Sequence, residues 1–240
     1  MRRRHLLLGA AAAVAAPRVA RAAQVLRFVP QADLAILDPI WTSANITRNH
    51  GYLVFDTLYG TDADWRIQPQ MVEGHVVEDG GKFWRLTLRE GLRFHDNEPV
   101  RGIDVVASLR RWGARDAFGS ALLSVTDELA ATTDRTVTFR LKKPFALLPE
   151  ALGKPGVNMP CIMPERLAAT PASARVTEMI GSGPFRFVAS EWSQGNRVVY
   201  EKFQNYVPRS SGVPSLTAGP KVAHFDRVEW VIIPDPATAA

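Results

Sequence analysis

Five arginines (Arg2, Arg3, Arg4, Arg18, Arg21) and no acidic residue stand in the first 22 positions, around an apolar run from Leu6 to Ala16. A basic start, a short apolar stretch and the small-residue site Ala20-Arg21-Ala22 together read as an export signal cleaved after Ala22. The run is shorter than the ~20 apolar residues that a helix needs to cross a bilayer. Arg3-Arg4-His5-Leu6-Leu7 also resembles a twin-arginine signal, so the twin-arginine and general secretory routes both stay open. What folds is therefore the body from Ala23 onward. Removing the five leader arginines from the 29 Lys and Arg leaves 24, against 24 Asp and Glu. A formally neutral body has no broad field to attract phosphate backbones, so nucleic acid is not expected as a partner.

The 240 residues, 46% of them hydrophobic and 22% charged, suffice for a packed core. Cys161 is the single cysteine, so no internal disulfide can form, and its distance from the cleavage site excludes a lipidated mature terminus. It is expected to be buried as a small apolar residue. An exported chain with one cysteine and no later membrane-spanning stretch points to the periplasm.

Short strands and helices alternate along the body. Val25–Val29 reads as a largely buried strand closed by Pro30, and Asp38-Pro39 as a turn. Tyr52, Leu53, Phe55, Leu58 and Tyr59 recur at helical spacing, which predicts an amphipathic helix over 49–59. Gly74–Glu78 and Lys82–Leu88 flank Asp79-Gly80-Gly81, a hairpin whose glycines allow positive φ. Leu92–His95 reads as extended. Ile103, Val106, Ala107 and Arg110 share one face of a helix ending near Trp112, and a second hairpin joins Ser124–Ala131 to Thr136–Leu141. Short helices are expected over 145–152 and 164–169, strands over 185–191, 197–202 and 227–233, and a Pro/Gly/Ser-rich loop over 207–220. The chain stops soon after a core-like strand, so the sequence reads as truncated.

Four patterns then align in order. They are Leu37-Asp38-Pro39 with Val54-Phe55-Asp56-Thr57-Leu58-Tyr59; Val72-Glu73-Gly74 through Leu88-Arg89-Glu90-Gly91-Leu92-Arg93-Phe94-His95-Asp96 to Asp104–Leu109; Gly181-Ser182-Gly183-Pro184-Phe185 with Asn205-Tyr206; and Phe225-Asp226-Arg227-Val228 with Ile233-Pro234-Asp235. Through these the chain resembles family 5 of the ABC-importer solute-binding proteins, which serve peptide, opine and nickel import. Asn97 and Val207-Pro208 depart from the family pattern at turns. The resemblance implies a mixed α/β fold: a periplasmic-binding-protein-like class II lobe with a discontinuous domain I (23–45 and 178–240), an inserted domain II (46–177) and no C-terminal lobe. It further implies non-catalytic capture of a peptide, or of a nickel chelate, opine, haem or oligosaccharide. Delivery would be to ABC permease subunits in the inner membrane, by a monomer without cofactor.

By position in the family pattern, the ligand contacts implied are Gln31, Ala32, Asp33 and Leu34, whose backbone could pair with a peptide, together with Trp41, Asn45, Asn158 and Met159. Gly181, Ser182 and Gly183 could offer backbone amides, or could serve as a crossing that needs glycine's conformational freedom. For most of these, ordinary turn or packing roles compete with contact. His50, His75 and His95 lack metal-ligand spacing, and His95-Asp96 reads as a locally bonded turn. Ser182 lacks the second glycine of a nucleophile elbow, so a secreted hydrolase is the weaker alternative. A broken reading frame, giving a non-functional fragment, is another.

Overall fold

The computed structural model describes residues 23–233; the expected leader and the Pro234-Asp235-Pro236 turn lie outside them. The order of elements is β1 (Val25–Phe28), α1 (Asn45–Val54), β2 (Tyr59–Thr61), β3 (Ile67–Pro69), β4 (Val72–Glu78), β5 (Phe83–Leu88), α2 (Gly102–Gly113), α3 (Ala117–Val125), β6 (Thr126–Thr133), β7 (Thr136–Leu141), α4 (Leu148–Gly153), α5 (Glu165–Ala168), β8 (Phe185–Phe187), β9 (Arg197–Lys202) and β10 (Arg227–Val231). Among them no helix is long and apolar enough to cross a membrane.

Two four-stranded sheets carry the fold. One is an antiparallel meander in the order β4-β5-β7-β6. Its first hairpin turns through Asp79, Gly80 and Gly81, all at positive φ, as the glycines lead one to expect. Along β5, Trp84, Leu86 and Leu88 face the core, while Phe83, Arg85 and Thr87 alternate outward. The other sheet has the order β1-β10-β9-β8, with β1 parallel to β10 and the rest antiparallel. Residues more than 200 positions apart thus pair at its edge, Val25 with Arg227 and Phe28 with Trp230. As an edge strand, β1 leaves Val25, Leu26 and Phe28 exposed, where apolarity alone suggests burial.

Several local expectations shift. The first helix ends at Val54, because Phe55–Tyr59 leaves it to build other structure: Thr57 bridges Cys161, and β2 pairs with β3. Leu92–His95 forms no strand, only an isolated Arg93–Pro99 bridge. A helix, α3, precedes β6 and takes in Ser124 and Val125, where the strand is expected to begin; the Asp116 side chain caps it by accepting from the Phe118 and Gly119 amides. On α2 the buried residues include Val105, Leu109 and Trp112 with Ser108, and of the expected face Val106 is buried and Ala107 packs against the core, while Ile103 and Arg110 face outward. The strand at 185 stops after three residues and gives way to a 3-10 turn. Cys161 is buried as expected, and burial raises its thiol pKa.

One apolar core runs unbroken from Leu34 through both sheets to Trp230. A fully buried ion pair crosses it, with Arg111 Nη2 of α2 at 2.7 Å from Asp38 Oδ2. Asp38 also accepts from the amides of Ile40, Trp41 and Val176, so one carboxylate ties the 38–41 loop to α2 and to the 174–176 segment. Arg111 Nη2 is shared with Ala174 O, whereas Nε and Nη1 are buried without a partner. Asp38→Ala should destabilise the chain by about 3–5 kcal/mol, because it strands a buried guanidinium. Calorimetry should read this as a Tm loss of roughly 10 °C. Asp38→Ala/Arg111→Met should recover only part, because three backbone amides still lose their acceptor.

Candidate functional site

The helix α1 buries Ile46, Thr47, His50, Gly51 and Val54. Gly51 is required there, since a Cβ would lie 2.9 Å from both Pro39 and Met159. The opposite face presents Arg48, Asn49 and Tyr52 to an open cleft of about 810 Å³. Trp65, Pro155, Pro184, Phe185, Leu216, Lys221 and Val222 are among the residues that line the rest of it, and among the described residues no acidic one does. Trp65 and Leu216 are 73% and 66% exposed at its mouth.

Two cations reach this space, in different electrostatic states. Lys221 Nζ lies 2.7 Å from Asp56 Oδ1, with Asp56 fully buried behind it, and 5.5 Å from the Tyr52 ring centroid. Asp56 also accepts from the Thr57 amide and the Tyr206 hydroxyl, at 2.9 and 2.8 Å. Burial, reinforced by the Asp56 charge, raises the Tyr206 pKa well above its ordinary value, so the phenol stays protonated and donates. Arg48, in contrast, meets only its neighbour's amide oxygen, Asn49 Oδ1 at 3.2 Å, and pairs with no carboxylate among the described residues.

The Gly181-Ser182-Gly183 segment joins this wall to the core. A Cβ on Gly181 would lie 1.9 Å from Val54 O, and one on Gly183 2.7 Å from Leu53 O, so missing bulk, not unusual φ, is what these glycines supply. The Ser182 hydroxyl accepts from the Asp56 amide and donates to Ile162 O. His95 reaches the same segment rather than bonding within its own turn: Nδ1 accepts from the Gly181 amide and Nε2 donates to Gly183 O. Both ring nitrogens are thus used by the neutral tautomer.

None of the residues expected at a ligand lines the cleft. Gln31 and Ala32 are exposed, Asp33 accepts from the Gly195 amide, and Leu34 is fully buried. Trp41 donates to Ser173 O, and its ring lies 5.4 Å from each of the Arg115 and Arg175 guanidinium carbons, so this chain's own cations stack on it. Asn45 opens α1 in solvent. Asn158 holds the 40s loop through Nδ2 to Ile40 O, with φ at 51°, and Met159 is fully buried against Gly51. Sequence reasoning gave Arg48 and Asn49 no role and used Tyr52 only for its helical spacing, although Arg48 and Tyr52 lie four apart and so share one side of the helix.

Comparison with known proteins matches this fold. The family model for bacterial extracellular solute-binding proteins, family 5, covers residues 66–240, and the chain belongs to that family. A probable peptide ABC transporter periplasmic-binding protein of Sinorhizobium fredii is 37% identical over 235 residues, which is 97% of this chain and 42% of that protein. A glutathione-binding protein of Pectobacterium atrosepticum is 27% identical, across 85% of this chain and 37% of that one. Among solved structures, a binding protein from A. tumefaciens R10 in complex with agropinic acid superposes with a TM-score of 0.71 at 25% identity, over 90% of this chain and 41% of that one. The oligopeptide-binding protein AppA of Bacillus subtilis, with a nonapeptide, gives 0.70 at 21% identity over 90% and 42%. The chain therefore spans about two fifths of the length of the relatives it matches.

Burial lowers the His50 pKa to about 3 and that of His95 to about 4, from 6.5. The unfolded chain binds more protons in this window, so both histidines contribute stability that is whole above about pH 6.5 and lost as pH falls toward 4. The loss is at most ~1.4 kcal/mol per pH unit for each ring. Thermal melts from about pH 7 to about pH 5 should show a falling Tm. His50→Gln, which can keep a bond to the Tyr200 hydroxyl 2.9 Å away, should remove about half of that slope. Gly181→Ala should cost stability at every pH.

Proposed function

We propose that the chain acts as the solute-capturing part of an ABC importer, binding peptides or similar small molecules without transforming them. The observation that carries this reading is the open, largely apolar cleft beside α1, with two cations in its wall and, among the described residues, no acidic group. Names borne by relatives support it: one is a probable peptide binder and another a glutathione binder. In this reading, solute held between this lobe and the further chain that the longer relatives possess stabilises a closed form, since it touches both sides only when they close. Permease subunits in the inner membrane would recognise that form.

The same reading takes the protein as exported to the periplasm by its leader, as a monomer, with 23–45 and 178–240 forming one domain around 46–177. Exposed Gln31 and Ala32, half-buried Asp33, and Trp41, Asn45 and Asn158 remain candidates for a second contact surface. Leu34, Met159, Gly181, Ser182 and Gly183 would act behind it, because the chain itself encloses them. The engaged and buried Ser182 hydroxyl favours binding over hydrolysis.

Deleting the gene should lower uptake of a labelled di- to hexapeptide pool by the source bacterium, and a plasmid copy should restore it. Unchanged peptide uptake would remove the peptide reading. Peptide hydrolysis by the purified chain, abolished by Ser182→Ala, would replace it with the enzyme.

A further inference from the structure

The cleft is selective in charge. Of its two cations, Lys221 is neutralised by the buried Asp56 at 2.7 Å and is further held over Tyr52. Turning Lys221 toward a solute would leave Asp56 buried with one partner fewer, a costly exchange. Arg48 carries no such debt. It projects from the end of the first turn of α1 into the cleft, its side chain is only partly exposed, and among the described residues its side chain bonds only a neutral amide. A guanidinium offers five donors in a planar fork that fits a carboxylate through two parallel bonds. Such a charge-assisted, two-bond pairing is roughly twice as strong as a neutral hydrogen bond. Around it stand the Tyr52 ring, Trp65, Phe185, Leu216 and Val222, which suit an apolar or aromatic body.

From this arrangement we infer that Arg48 is the anion anchor of the cleft, taking a carboxylate of the solute while the apolar wall takes the body beside it. Asn49 Oδ1, 3.2 Å from Arg48 Nη2, steers the guanidinium in the empty cleft and leaves its other donors for the ligand. The inference rests on the solute-binding reading and narrows it to acids. Peptides ending in a free carboxylate and sugar- or amino-acid-derived acids share this chemistry.

The test uses the whole chain and three probes: N-acetyl-phenylalanine, its carboxamide, and acetate. The indole N–H of Trp65 and the Nε–H of Arg48 are followed by NMR during titration. The acid should shift both signals and bind at least about tenfold more tightly than the carboxamide. Acetate should move the Arg48 signal alone. Arg48→Gln should erase the preference for acid over amide, and Arg48→Lys should restore part of it. A C-terminally free tripeptide and a sugar-derived acid such as gluconate then distinguish the two sources by affinity. If acid and amide bind equally, capture by the cleft stands and the Arg48 anchor falls. If Arg48→Gln binds the acid as the wild type does, or if no probe binds, the anchor also falls. Uptake in the deletion strain judges the importer reading independently of each result.

Discussion

The carboxylate of Asp56 lies where separate stretches of chain meet, and it is fully buried. Its own amide and carbonyl bond Ser182 Oγ and the Ile162 amide, while its side chain holds Thr57, Tyr206 and Lys221. A buried charge is tolerated only when paired and fully hydrogen-bonded. Each of these strands of chain must therefore arrive together, or the site becomes a liability of several kcal/mol. The cleft inherits its shape from that requirement, because Lys221 and the loop before it, and Pro184-Phe185 after Ser182, are fixed by the same knot.

Close backbone approach does the rest. Gly181 and Gly183 press against the carbonyls that end α1, Gly51 against Pro39 and Met159, and Gly60 against the backbone at Thr217, where a Cβ would lie 2.4 Å from its carbonyl oxygen. Such contacts leave α1 one orientation, with its apolar side inward and Arg48, Asn49 and Tyr52 in the opening. The neutral ring of His95 seals the same seam from the other side. A cleft wall built on a helix anchored in this way holds its charged group steady, which favours binding a solute over following its motion.

Family membership was legible in the chain itself, because turn motifs such as Asp79-Gly80-Gly81 and Gly181-Ser182-Gly183-Pro184 record backbone needs that only a few residue types meet. The β5 alternation was equally clear, since one face is buried and the period of two survives in the sequence. Helix α3 was not: its residues Ala117–Val125 are small or apolar on most sides, and apolarity without period does not separate helix from strand. The α2 face was only partly legible: Val106 and Ala107 lie inward as expected, but Asp104, Ser108 and Arg111 are polar yet buried, each with a specific partner in a distant segment: the Glu165 amide, Met163 O and Asp38.

What the sequence determined unaided was local. It set the turns, the exposed and buried sides of strands with one wet face, the neutral charge of the body and the kinship with solute-binding proteins, all of which depend on neighbours within a few residues or on counting. Which cation in the cleft is free was decided only by tertiary structure. Arg48 and Lys221 are both single positive charges in the sequence. One faces Asp56 across 165 positions and the other faces no carboxylate among the described residues. Pairing over such a span depends on how sheets and loops close around the core, and no local pattern encodes it.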